Sequence, residues 1–243
     1  MDWSITIRSK AYSSIKNKLF NWFGNHCEVC REPCNSKELL CYACEQDLPK
    51  AQNSCQRCAL PVIAGSICGQ CLQHNPAFDH SHCNYLYQAP LDRWLHLYKD
   101  KNKTEWANSF SRLMLNQPPQ NLLDVDAITY VPSSRFSMLK RGFNPAELIA
   151  IHLGENLGLP VLHKLIHRSH SKQQKELSRK QRIANVRNSF SRTKSALNGE
   201  HVLLIDDVMT TGSTAHSMAR LLKQAGASQV TVWCLARTPS HNH

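Results

Sequence analysis

Four Cys-x-x-Cys pairs stand within 45 residues: Cys27/Cys30, Cys41/Cys44, Cys55/Cys58 and Cys68/Cys71. No other feature so narrows what this chain can fold into. A Cys-x-x-Cys turn aims two thiolates at one point, and two such turns close a tetrahedral metal site. The simplest pairing joins Cys27, Cys30, Cys41 and Cys44 in one site and Cys55, Cys58, Cys68 and Cys71 in a second. That arrangement predicts a double zinc ribbon over 27–74. Iron–sulfur ligation uses the same thiolates, and the regular pairing favours zinc. Disulfides need an oxidising compartment, to which nothing in the sequence points. Cys34 reads either as a bystander or as an exchangeable ligand. Cys83 and Cys234 sit in strand-like runs and read as small buried apolar residues.

Ahead of the cysteines, Tyr12, Ile15, Leu19, Trp22 and Phe23 recur at helical spacing, which predicts an amphipathic helix within 1–26. Such a stripe suits a membrane interface, but more commonly packs on its own protein. No apolar run approaches the length of a membrane span, and the first residues lack a secretory signal, so the expected location is cytoplasmic.

From residue 75 the cysteines thin out and strand and helix patterns alternate to residue 243. SHCNYLYQ, DAITYVP, HVLLI and SQVTVWCLAR read as strands, with LPVLHKLI a further candidate. Between them lie helical patterns such as NPAELIAIHLGENLG, with Asn144 as cap, Pro145 in the first turn, and Gly154 and Gly158 marking its end. Alternation of this kind predicts an α/β domain with a mostly parallel sheet.

The net charge of +11 is concentrated. Residues 163–194 hold ten Lys and Arg against one Glu, which is nine of those charges. The segment is either a solvated basic loop or an arm for phosphates and nucleic acid. Lys172, Lys175, Arg179, Lys180, Arg182 and Arg187 are its candidate DNA contacts.

In VLLIDDVMTTGST, residues 202–214, two carboxylates follow an apolar strand and lead into a hydroxyl-rich turn. Ligands of open α/β sheets bind beyond the carboxyl ends of the strands. Thr210, Thr211, Gly212, Ser213 and Thr214 form a phosphate cradle at a helix N-terminus. Asp206 and Asp207 suit vicinal hydroxyls, so the pair of features fits a sugar phosphate. There is no GK[ST] and no GxGxxG, so this is neither a Walker loop nor a dinucleotide fingerprint.

This stretch resembles the 5-phosphoribosyl 1-diphosphate (PRPP) motif of type I phosphoribosyltransferases. The wider layout resembles the ComF family (ComFC/GntX-type competence proteins). The likeness runs from Cys27 through VPSSRFSMLKRGFNPAELIA, then Gln174, Leu177, Arg182, Asn185, Asn188 and Phe190, to the closing VWCLAR. It implies a type I phosphoribosyltransferase-like sheet behind the zinc ribbons. By the resemblance, Asp206 and Asp207 hold the ribose hydroxyls and Thr210–Thr214 the 5-phosphate. The diphosphate loop would be Pro132, Ser133, Ser134 and Arg135, followed by Lys140 and Arg141, with Mg²⁺ bridging the diphosphate. The family is associated with natural transformation. That implies single-stranded DNA as a partner on the cytoplasmic side, and other competence proteins such as a helicase or DNA-processing protein. No acceptor site is legible. A PRPP-binding DNA-uptake protein, an active phosphoribosyltransferase with an unidentified nucleobase or amine acceptor, and a zinc-ribbon adaptor with a vestigial site all stand at this point.

Overall fold

The structure is a computed structural model that describes residues 26–34, 38–62, 67–168, 190–192 and 196–239. The Tyr12–Phe23 stripe lies outside them. So do Lys172, Gln174, Lys175, Leu177, Arg179, Lys180, Arg182, Asn185, Arg187 and Asn188 of the basic segment. The chain divides between Leu48 and Pro49 into two compact units.

Both units contain the same cysteine knuckle. In the first, the Cys27 N–H donates to Glu32 O and the Arg31 N–H to Cys27 O. In the second, the Cys55 N–H donates to Leu60 O and the Ala59 N–H to Cys55 O. Arg31 and Ala59 each take a positive φ, 65° and 53°, which turns the chain back after the second cysteine. The return pairs then open short helices, α1 (Tyr42–Gln46) and α2 (Gly69–Gln73). Their N-caps, Cys41 and Cys68, share φ −73° with ψ 159° and 158°. The duplication therefore extends beyond the Cys-x-x-Cys spacing to the backbone around it.

The second unit is built on four parallel strands in the order β1 (His80–Leu86), β6 (Gln229–Arg237), β5 (His201–Met209), β2 (Ala127–Tyr130). Alternate residues of each strand serve opposite faces. Val202 and Leu204 of β5 and Val230, Val232 and Cys234 of β6 point one way, toward α7 (Ser213–Gln224) and the second cysteine group. Leu203, Ile205, Trp233 and Leu235 are buried on the other face. That side carries α3 (Leu91–Asp100), α4 (Trp106–Leu115) and α6 (Pro145–Leu157). There the Trp233 indole donates to Asn84 Oδ1 at 2.8 Å, and the Asn84 amide donates to Met114 O and Gln117 O.

β5 is longer than HVLLI. Its pairing with β6 continues to Met209↔Arg237, while its pairing with β2 stops at Ile205↔Tyr130. The two aspartates thus lie inside the strand, where one neighbour has ended and the other has not. LPVLHKLI is not one strand. Val161 makes a single parallel bridge to Ile128, and Ile166–Arg168 (β3) pairs antiparallel with Phe190–Arg192 (β4) in a separate two-stranded sheet. Asn144 takes the N-cap backbone position of α6 with Pro145 first in the helix, and Gly158 ends it at φ 68°. The Asn144 side chain makes no cap bond. Gly154 lies inside the helix, in close contact with Val161 and Leu159, rather than at its end.

Candidate functional site

The eight expected metal ligands assemble in the expected pairing. Cys27, Cys30, Cys41 and Cys44 converge, as do Cys55, Cys58, Cys68 and Cys71, with the sulfurs of each group within 4.8 Å of one another. Cys30 Sγ lies 3.7 Å from Cys41 Sγ, and Cys58 Sγ 3.6 Å from Cys68 Sγ. Four sulfurs at about 2.3 Å from a tetrahedral zinc stand about 3.8 Å apart, so both groups fit that ion. The separations are far too long for disulfides, and all eleven cysteines are free. Burial opposes ionisation of Cys27 and Cys55. Surrounding backbone N–H groups outweigh it and bring the two thiols down to about 6 and about 7. Cys83 and Cys234 are buried directly opposite each other on β1 and β6, apart from either group.

The acidic end of β5 lies in the second unit. Successive strand residues face opposite ways, so the two carboxylates have different surroundings. Asp207, on the face toward α3, pairs with Lys99 Nζ at 2.7 Å. Burial pulls the Lys99 ammonium down, and Asp207, then Asp206, more than restore it. Asp206 is desolvated. Burial, reinforced by the Asp207 charge, pushes it up to about 8. Near neutral pH Asp206 therefore favours its protonated form. Arg168, at the end of β3, is close enough to Asp206 to feel its charge, and its guanidinium lies 5.4 Å from the centre of the Phe190 ring. Phe190 itself is buried.

Beyond β5, Thr210 and Thr211 are exposed and Gly212 turns the chain at φ 76° into α7. Ser213 does not cap this helix. Gly212 occupies the cap position, Ser213 is the first helical residue, and its hydroxyl bonds Thr211 Oγ1 at 2.9 Å. A side chain at Gly212 would meet open space except for Met209 Sδ at 3.8 Å, so the glycine serves the positive φ rather than a tight fit. The first intrahelical bond is His216 N–H to Gly212 O at 2.8 Å. The Ser213 N–H donates to Thr211 Oγ1 at 3.4 Å, and the other N–H groups of the first helical turn, which no bond within the helix uses, suit an anion.

The loop after β2 leaves beside the acids, since the Val131 N–H donates to Ile205 O at 3.0 Å. Its serines shape it. Ser133 donates to Asn144 Oδ1, Asn144 donates to Val131 O, and Ser134 Oγ caps α5 (Arg135–Arg141) through the Ser137 N–H. Asn144 therefore holds this loop with the side chain that the sequence assigns to helix capping. Arg135 and Lys140 are exposed. Arg141 faces Asp100 at 3.6 Å, and its Nε is buried with no hydrogen-bond partner. Consecutive residues at the end of α3, Lys99 and Asp100, thus contact Asp207 and Arg141. This brings the two ligand loops expected from sequence to one place. Lys99, Arg168 and the buried Arg237 were not assigned roles from sequence. A cation ending an apolar helix face, as in RWLHLYKD, and one ending an apolar strand, as in VWCLAR, were the available signals.

The pattern of the "Phosphoribosyl transferase domain" matches residues 136–242, and that of the "Double zinc ribbon domain" matches residues 21–72. "DNA utilization protein YhgH" of Salmonella typhimurium is 33% identical over 220 residues, covering 87% of this chain and 96% of that protein. "Competence protein F" of Haemophilus influenzae is 31% identical over 229 residues, covering 90% and 100%. "Competence protein ComFC" of Bacillus subtilis is 27% identical over 214 residues, covering 83% and 85%. With a double zinc ribbon ahead of a phosphoribosyl transferase domain and relatives matched along most of their length, the chain belongs to the ComF family of competence and DNA-utilization proteins.

Proposed function

We propose that this protein binds PRPP at the acidic end of β5 and acts in DNA uptake during natural transformation, handling incoming single-stranded DNA on the cytoplasmic side. The observation that carries the PRPP reading is the convergence of three features on one strand end. They are the Asp206–Asp207 pair, the Thr210–Thr214 turn at the head of α7, and the incompletely partnered Arg141 across Lys99 and Asp100. The carboxyls accept and donate hydrogen bonds to vicinal ribose hydroxyls. The turn holds the 5-phosphate through N–H groups and hydroxyls. Arg141 is freed from Asp100 to meet the diphosphate, whose planar fork contacts it suits. The hard oxygens of this site fit a hydrated Mg²⁺, which screens the diphosphate charge when it arrives with PRPP.

The role in transformation rests on the printed names of the relatives, competence protein F and competence protein ComFC. Its DNA side rests on the charge of residues 163–194. The arm's described ends, Arg168 and Phe190, are antiparallel partners beside Asp206. The position of these two ends beside the acidic end of β5 supports a reading in which DNA and PRPP bind at neighbouring places.

Calorimetric titration of PRPP with Mg²⁺ tests the first half. The wild type binds, and Asp206→Ala/Asp207→Ala does not; a folded, zinc-loaded wild type that fails to bind removes the reading. Fluorescence anisotropy with single-stranded DNA tests the second half. Affinity falls with salt and is lost when Lys172, Lys175, Arg179, Lys180, Arg182 and Arg187 are neutralised. Diphosphate release across nucleobase, amine and DNA acceptors separates a binder from a transferase.

A further inference from the structure

Arg237 ends β6 and is buried, at 3% exposure. Its Nε donates to the carbonyl of Cys58 at 3.0 Å. Its Nη1 donates to the carbonyls of Met209 at 3.0 Å and Thr238 at 2.8 Å, and also to that of Thr210. One guanidinium therefore reaches from the second cysteine group to the first residue of the Thr210–Thr214 turn. Met209 O is held twice, since the Thr238 N–H also donates to it at 3.0 Å. Among the described residues no carboxylate forms an ion pair with Arg237. A buried charge is ordinarily paired as well as hydrogen-bonded. By charge count, four thiolates around a divalent metal are a dianion, and Cys58 is one of the four. The loaded metal group is thus the counter-charge nearest along the bonded path.

A second contact joins the same two regions independently. The Ala77 N–H, just past the last cysteine of the group, donates to His216 Nδ1 in the first turn of α7 at 3.1 Å. Cys55, Cys58, Cys68 and Cys71 also share one buried cluster with Ala215 and Met218 of that helix.

We propose that Arg237 is a positioning residue that couples the two: metal in the second cysteine group sets the shape of the Thr210–Thr214 turn, so that anion binding at the turn requires a loaded group. The identity of the anion rests on the PRPP reading; the coupling does not.

The test uses the full chain. Arg237→Gln and Arg237→Lys are compared with wild type and with Leu203→Ala, a core change on the opposite face of the sheet that leaves the bridge intact. Amide hydrogen exchange at residues 209–214 is followed without ligand, and PRPP affinity with Mg²⁺ by calorimetry. Both Arg237 variants are expected to speed exchange at the turn. They are also expected to weaken PRPP by at least about tenfold at unchanged zinc content, because the lysine restores charge without the fork. Leu203→Ala is expected to lower the melting temperature and leave both readouts in place. In wild type, graded chelation should speed exchange at 209–214 in step with loss of the second zinc. This arm needs no variant to fold and no PRPP to bind. If exchange at the turn is indifferent both to that zinc and to the Arg237 variants, the coupling is wrong. If only PRPP binding is absent while exchange tracks the zinc, the coupling stands and the ligand assignment falls.

Discussion

The two cysteine groups have the same backbone and different surroundings. Each has the same knuckle bonds, the same left-handed residue after the second cysteine, and the same capped short helix. In the first group, however, Cys30 is exposed and Cys41 and Cys44 are half-buried. Apart from its cysteines, its neighbourhood buries little more than Leu39, Leu40 and Leu48 among the described residues. In the second, all four cysteines are buried in the core cluster that also holds Val202, Leu204, Val230 and Val232 of the sheet and Met218 of α7. Metal ligation supplies the folding free energy where few apolar residues are at hand. In the first unit the metal substitutes for a core. In the second it is one part of a core that also shapes the ligand end of the sheet.

The sharpest way to break this comparison is to remove one ligand from each group. Cys71→Ser should cost the sheet unit on the order of 5 kcal/mol, since it leaves a buried, incomplete site. Cys44→Ser should leave that unit's melting temperature unchanged within about 1 °C. Near-ultraviolet circular dichroism reads the sheet unit through Trp94, Trp106 and Trp233, all of which are in it. Equal losses from the two substitutions would mean that the groups are energetically alike.

Damage at the acidic end should be smaller than damage at the second cysteine group. Lys99→Met leaves Asp207 without its cation in a site only 12% exposed. Removing one partner of a mostly buried pair, discounted for the 23% exposure of Lys99, should cost about 2 kcal/mol in urea denaturation. A cost equal to that of Cys71→Ser would place the core's weak point at the ligand site instead.

The Asp206 proton gives a smaller effect with a definite sign. Its carboxyl moves from 3.8 in the unfolded chain to about 8 in the folded one. Between those values the folded state keeps a proton that the unfolded chain has released. Stability from this group is therefore present at low pH and lost as pH rises toward and through 8. Wild type should melt at least about 3 °C lower at pH 8.5 than at pH 6.5, beyond any difference seen in Asp206→Asn. Parallel pH profiles for the two proteins would remove the desolvated acid from the account.

What could be read from sequence follows the range of the interactions. The metal pairing was legible because each Cys-x-x-Cys turn is local and four thiolates have one simple way to close two sites. The order of strands and helices was legible from periodicity. The length of β5 was not, because its last residues are held by Arg237 and its neighbours on β6, a pairing that two carboxylates in a row disguise. Lys99 was missed because its role depends on α3 crossing the sheet to reach Asp207, which no local pattern encodes. Asn144 was read as a cap from its place before Pro145, yet tertiary contact spends its side chain on the loop after β2. The different standing of the two cysteine groups was hidden for the same reason. Their knuckles look alike in sequence, and what distinguishes them is a sheet assembled from residues far along the chain.

Cys34 supplies the smallest test and the most local one. It lies among the first group's ligands in sequence, yet its sulfur donates to the Glu38 carbonyl at 3.6 Å instead of joining the four. Burial, and then the charges of Cys27 and Cys41, hold its thiol in the protonated form, whereas a ligand must ionise. Cys34→Ser should therefore keep two zinc ions per chain and change stability by no more than about 0.5 kcal/mol, as a serine hydroxyl can make the same bond. Zinc content by mass spectrometry under native conditions reads the first quantity directly. Loss of one zinc on this substitution would make Cys34 a ligand in exchange with Cys30 or Cys44. The first group would then be a site that redistributes its ligands, in contrast to the second, whose four are fixed in the core.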